Sequence, residues 1–172
     1  MDALGSAYAI ARCFPGCAIF APDGMDRIAK MVAAKTETSV REGAGEGFDE
    51  IVVVDTSSPF QLTDDGSIEA DIVIDHHKPT GKWNADCMMY CDETRSSCCE
   101  IIKDMLVVSG RSIPRDVALM LMGGILTDAG HFQFADAKTL RAFADLMESN
   151  DIGMDEALGL VEAEVSISER IS

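Results

Sequence analysis

The chain has 172 residues, 47% of them apolar and 26% charged, which suits one globular domain with a real core and leaves little room for a second. Asp and Glu number 30 against 14 Lys and Arg, a net charge of −16. That disfavours a broad face for long duplex nucleic acid, whose affinity comes from basic side chains, but suits a small anion held through divalent cations, which carboxylates ligate well. The uncharged run Val117 to Thr127 has eleven residues, well short of the roughly 20 that a spanning helix needs. Asp2 stands where a signal peptide would carry basic residues, and Arg12 interrupts the apolar stretch behind it. A cytoplasmic place with no membrane partner is the expectation. The six cysteines, Cys13, Cys17, Cys87, Cys91, Cys98 and Cys99, repeat no familiar metal-binding spacing and read as free thiols packed in or near the core.

In chain order, Ala3 to Phe14 reads as a helix of small residues. Cys17 to Ala21 reads as a short strand ended by the turn Pro22-Asp23-Gly24. Met25, Ile28, Ala29 and Val32 have helical spacing within Met25 to Lys35. Thr36 to Gly47 is polar and Gly-rich, hence a loop. Glu50 to Asp55 and Ala70 to Asp75 are β-branched runs of the kind that form buried parallel strands, and both end on Asp. A loop follows from His76 to about Asp86, with a short strand over Cys87 to Tyr90. Ser97 and Glu100 form a capping-box pattern that opens a helix ending near Gly110. Pro114 suits the first turn of a helix running to Thr127, and Asp136 caps another over Ala137 to Ser149. A last helix is expected over Met154 to about Glu164. The alternation predicts an α/β fold with a mainly parallel sheet flanked by helices. In such sheets ligands bind at the carboxyl ends of the strands.

All three histidines, His76, His77 and His131, fall in loops expected near that edge. Four segments bring carboxylates to it: Asp2-Ala-Leu-Gly-Ser-Ala7, Val52-Val-Val-Asp55, Asp75-His76-His77, and Thr127-Asp128-Ala-Gly-His131. Mixed carboxylate and imidazole ligands suit Mn²⁺ or a similar ion. Two such ions can clamp a phosphate and activate a water.

These four segments, in this order, resemble the motifs of the DHH phosphoesterase superfamily, of the RecJ-like and oligoribonuclease type, over Asp2 to about Asn150. The resemblance implies a DHH domain over residues 1–150, with 151–172 a C-terminal helix and the start of a linker to a second domain. It implies metal ligation by Asp2, Asp55, His76 and Asp128, with Mn²⁺ the expected ion and Mg²⁺ or Co²⁺ the alternatives. His77 would face the substrate phosphate, and Asp75 would support the catalytic group by orienting a ligand imidazole. Gly5 and Ser6 would pack behind the metals at a helix start that favours anions. Arg95 and His131 are the remaining candidates for substrate contact. In this family a His and another Asp precede the position of Asp2, and a central strand precedes both; the sequence starts at Met1, so the first motif reads as incomplete.

The expected substrate is a small nucleotide or short single-stranded oligonucleotide, cleaved at a phosphodiester bond by a two-metal-activated water. A pyrophosphatase or exopolyphosphatase with the same core, or a non-catalytic nucleotide-binding remnant, are the alternatives. An open sheet edge would invite pairing with a second copy, so a homodimer is a further expectation.

Overall fold

The computed structural model describes residues 1–43, 45 and 47–162. The elements follow in the order α1 (Asp2–Cys13), β1 (Ile19–Phe20), α2 (Arg27–Lys35), β2 (Val40–Arg41), β3 (Val52–Val54), β4 (Ile72–Asp75), β5 (Met88–Cys91), α3 (Cys98–Val108), α4 (Arg115–Asp128), α5 (Ala137–Asn150) and α6 (Met154–Val161). A single 3-10 turn, Pro59–Gln61, lies between β3 and β4. Every strand pairing is parallel, and the fold is α/β as expected.

The sheet comes in two pieces, β1-β2 and β3-β4-β5. In the larger piece Val53 pairs with Val73, and Val73 with Met89. Side chains alternate across it. Val54, Ile72 and Ile74 face the main core, whereas Val53 and Val73 join Ile68, Ala70, Leu62 and Trp83 in a smaller cluster on the other face. β2 corrects the reading of Thr36 to Gly47 as loop throughout: Val40 and Arg41 pair with Ile19 and Phe20. Two residues between polar neighbours carry no period that a sequence pattern can show.

α4 is the centre of the helical layer. Val117, Leu121, Met122, Ile125 and Leu126 are wholly buried, because α1, α3, α5 and α6 all pack on it. Two glycines allow its closest crossing. A Cβ on Gly5 of α1 would lie 2.6 Å from the Met120 carbonyl oxygen, and one on Gly124 would strike Cys99 Sγ and come within 3.0 Å of Asp2 Oδ1.

Ser97 and Asp136 cap helices as the sequence indicates, and Asp26 adds a cap that starts α2 at Arg27 rather than Met25. Asp26 accepts from the Ala29 amide, Ser97 from Glu100, and Asp136 from Lys138 and Thr139. Such caps are worth about 1 kcal/mol each. α6 is shorter than expected over the described residues: it ends at Val161, and the remainder of the predicted helix and linker, 163–172, lies outside them. Ala157, Leu160 and Val161 are buried in the main core, so α6 belongs to the same body. Among the described residues no helix is long and apolar enough to cross a membrane.

Candidate metal centre

Three carboxylates converge on one imidazole nitrogen at the carboxyl edge of β3 and β4. His76 Nε2 lies 3.1 Å from Asp128 Oδ2, 3.4 Å from Asp55 Oδ1 and 3.7 Å from Asp2 Oδ2. Each arrives on a different element. Asp2 opens α1, Asp55 follows β3, His76 follows β4, and Asp128 is the last residue of α4.

Local structure explains each placement. The Asp55 amide extends the ladder to the Ile74 carbonyl at 3.0 Å. Its own φ of 56° then turns the chain sharply at the strand end, a left-handed conformation that Asp tolerates better than most L-residues. Asp75 caps the turn that follows β4: its Oδ1 accepts from the His76 and His77 amides at 2.8 and 3.2 Å. Asp128 ends α4 at the negative pole of the helix, where a carboxylate is unfavourable without a nearby cation.

Asp2 is the buried member. The first amides of α3 donate to it, Cys98 N to Oδ2 at 2.6 Å and Cys99 N to Oδ1 at 2.9 Å. Burial, then the charges of Asp55 and Asp128, push its carboxyl up from 3.8 to about 7, partly offset by Cys99. Burial opposes a charge on His76 as well, but Asp128 and Asp55, with Asp2 behind them, outweigh it and hold its pKa at about 10 against an ordinary 6.5.

The donor set fits a divalent cation. Asp2, His76 and Asp128 can each offer an atom within 4.8 Å of the others, and so can Asp55, Asp75, His76 and His77. His76 Nε2 and Asp55 Oδ1 are buried without a hydrogen-bond partner. Buried polar atoms are normally satisfied, and a cation among these groups would satisfy both and relieve the mutual repulsion of the carboxylates. Oxygen and imidazole donors in this mixture suit Mn²⁺ and its neighbours better than thiophilic ions.

The structure also redistributes several expected roles. Asp75 orients His77 rather than His76: its Oδ1 lies 2.9 Å from His77 Nδ1. The Nδ1 of His76 faces the Arg95 carbonyl oxygen instead, at 3.4 Å. His77 is half exposed, with its ring centroid 4.0 Å from that of His76, so its other nitrogen is open to a ligand. The Arg95 guanidinium does not reach the centre, because Asp92, Glu100 and Asp104 engage it. Gly5 and Ser6 lie in the packing behind the centre and present no surface to a substrate; Ser6 is wholly buried with Oγ 3.4 Å from Cys99 Sγ. The helix start that receives an anion is that of α3, and the anion is Asp2. His131 is exposed in the turn after α4, outside the cluster. Its φ of 54°, next to 70° at Phe132, marks that turn as strained. Cys98 and Cys99 are buried beneath Asp2, and all six cysteines are free thiols.

A parallel sheet whose strand-end Asp and His side chains meet beside the start of one helix and the end of another defines an α/β domain with a candidate metal centre at its carboxyl edge. The sequence matches the DHH family, N-terminal domain, over residues 1–125, and the chain belongs to that family. An uncharacterised protein of Methanocaldococcus jannaschii is 29% identical over 163 residues, covering 87% of this chain and 48% of that protein. Two solved structures share the fold. One is a Methanococcus jannaschii protein assigned to the family II inorganic pyrophosphatases, with TM-score 0.74, 20% identity, and coverage of 92% of this chain and 56% of that one. The other is an exopolyphosphatase-related protein from Bacteroides fragilis, with TM-score 0.71, 17% identity, and coverage of 95% and 54%. The chain thus spans about half the length of the proteins it matches.

Proposed function

We propose that this chain carries the metal-binding core of a phosphohydrolase, acting on phosphodiester bonds of small nucleotides or short single-stranded oligonucleotides. The observation that carries this reading is the convergence of Asp2, Asp55 and Asp128 on the unsatisfied Nε2 of His76. Asp2, Asp55, His76 and Asp128 would hold the divalent ions, with Mn²⁺ the first candidate. Bound there, such ions supply a nucleophilic water near neutral pH and neutralise phosphoryl oxygens.

The chain's own groups divide the remaining work. Asp75 Oδ1 takes the Nδ1 side of His77 at 2.9 Å and fixes the direction of that ring. His77 is thereby prepared to meet a phosphoryl oxygen or to give a proton to the leaving oxygen through Nε2. Packing of Ile74, Cys98 and Cys99 beneath the carboxylates keeps water from their lower side, which strengthens their hold on a cation. The expected domain division, a DHH domain over 1–150 followed by a helix and linker over 151–172, forms part of this proposal, with α6 packed on the DHH body.

A phosphoanhydride substrate is the second reading. It is supported by the two neighbours of TM-score 0.74 and 0.71, described as pyrophosphatase and exopolyphosphatase-related. One experiment separates the two: hydrolysis of an adenylate dinucleotide, pyrophosphate and tripolyphosphate in Mn²⁺, with EDTA and His76→Ala as controls. Turnover of the dinucleotide alone, lost in both controls, supports the first reading. Turnover of only the inorganic substrates selects the second. Mn²⁺ binding with no turnover of any of them would leave a non-catalytic binding module.

A further inference from the structure

We propose that Arg95 is a positioning residue for the centre: its guanidinium, bridged to Asp92, Glu100 and Asp104, holds the turn 92–97 so that the Arg95 carbonyl fixes the Nδ1 side of His76 and aims Nε2 at Asp2, Asp55 and Asp128. The inference rests on the metal-centre reading and extends it to residues that touch neither metal nor substrate.

The turn begins where β5 ends. The Asp92 amide donates to the Asp75 carbonyl at 3.0 Å, so the segment is tied to the residue that precedes His76. Asp92 Oδ1 accepts from the Thr94 amide and hydroxyl at 3.0 and 2.7 Å, and the Arg95 amide donates to the Asp92 carbonyl at 3.1 Å. That leaves the Arg95 carbonyl 3.4 Å from His76 Nδ1. A neutral imidazole has one donor and one acceptor nitrogen. A carbonyl at Nδ1 can only accept, so it selects the tautomer that carries the proton there and leaves the Nε2 lone pair for a cation.

The side chain holds this turn against α3. Arg95 meets Asp92 at 3.4 Å, Glu100 at 3.8 Å and Asp104 through a direct hydrogen bond. Glu100 is wholly buried, and its Oε2 has no hydrogen-bond partner, so the guanidinium is the cation that faces it. α5 fixes the same turn from the other side, with Ser96 Oγ 2.7 Å from Thr139 Oγ1. A planar guanidinium presents five donors in a rigid fork, which holds three carboxylates in a more fixed geometry than the three donors of an ammonium on a flexible stem.

The test compares wild type, Arg95→Ala and Arg95→Lys. Mn²⁺ binding is read by calorimetry, and the His76 ring by side-chain ¹⁵N resonances in the Mg²⁺-loaded protein. Arg95→Ala is expected to bind Mn²⁺ about 10–100-fold more weakly, as removal of a group that orients a metal ligand does, and to lose the single Nδ1-protonated signature. Arg95→Lys should restore part of each. Lys103→Ala is the control. It removes the cation beside Asp104 and Asp145 without touching the turn, and should leave both readouts at wild-type values. If Arg95→Ala does not fold, the double variant Arg95→Ala, Glu100→Gln removes the cation together with its buried counter-charge. Wild-type affinity and an unchanged ring signature in a folded Arg95 variant would overturn the positioning role alone. A wild-type protein that binds no Mn²⁺ would overturn the metal-centre reading with it.

Discussion

The metal-free protein should lose stability as pH rises from about 4 to 10 and take up a divalent cation with release of protons. Asp2 is pushed from 3.8 to about 7 and His76 from 6.5 to about 10. A group with a raised pKa binds its proton more tightly when folded. Its contribution is complete below the unfolded value and is lost as pH rises through the folded one. For Asp2 the window is therefore roughly pH 4 to 7, and for His76 roughly 6.5 to 10. A shift of about three units at Asp2 corresponds to about 4 kcal/mol, at roughly 1.4 kcal/mol per unit. In a chain of this size that is on the order of 8–16 °C in melting temperature. The two groups face each other, so their effects overlap rather than add. Carboxylates held low elsewhere, such as Asp26, capping α2, and Asp136, capping α5, act in the opposite sense and only below about pH 4. Metal binding needs both groups deprotonated. At pH 6, with both protonated, saturation with Mn²⁺ should release nearly two protons; at pH 8, with Asp2 already ionised, about one. Melting curves across pH with and without Mn²⁺, and calorimetry in buffers of different ionisation enthalpy, measure both quantities. A metal-free melting temperature that is flat or rising from pH 5 to 9, or binding with no proton release, would refute the electrostatic account of the cluster.

Three further outcomes follow from particular contacts. Gly124→Ala places a methyl group against Cys99 Sγ and Asp2; it should cost about 1–3 kcal/mol in denaturant unfolding, as overpacking does, and weaken Mn²⁺ binding by moving Asp2. Asp55→Asn keeps a residue type that accepts the φ of 56°, so circular dichroism should stay native while calorimetry shows Mn²⁺ binding and turnover lost. Asp55→Ala should lose about 1 kcal/mol more from the left-handed backbone alone. Asp116→Ala removes a carboxylate oxygen that accepts from Tyr8 Oη at 2.8 Å and Arg12 Nε at 2.9 Å, away from the centre. It should lower stability by about 1 kcal/mol and leave the Mn²⁺ affinity of the folded protein, read by calorimetry, unchanged.

What could be read from the sequence was what local pattern encodes. The β-branched runs before Asp55 and Asp75 mark the strands, and the caps Ser97 and Asp136 mark helix starts to the residue. The four carboxylate-bearing segments are legible for the same reason: each sits at the end of an element whose period is visible. Roles set by partners far along the chain are not legible. Asp2 meets the amides of Cys98 and Cys99 across 96 and 97 positions, and no pattern near Met1 announces it. Arg95 looks like a lone basic residue suited to phosphate because Glu100 and Asp104 lie one and two helical turns away, facing it only once α3 forms. Asp75 was expected to serve the metal-bound ring and serves its neighbour, a choice made by the tight turn at His76 rather than by composition. Gly124 carries a signal of its own: a Gly pair inside an apolar helix asks for a close neighbour, here Asp2 and Cys99.

The double attachment of Asp2 ties chemistry to the order in which the chain folds. One carboxylate both closes the start of α3 and faces His76, so the centre exists only after α1 has docked across nearly a hundred intervening residues. Contacts of such sequence separation form slowly, because the loop between them must be closed first. A partly folded chain with its strands and later helices in place would still lack the Asp2 carboxylate, and with it the group of Asp2, His76 and Asp128. Under the proposed metal-centre reading, full affinity for a divalent ion would appear during refolding only with the docking of the first helix.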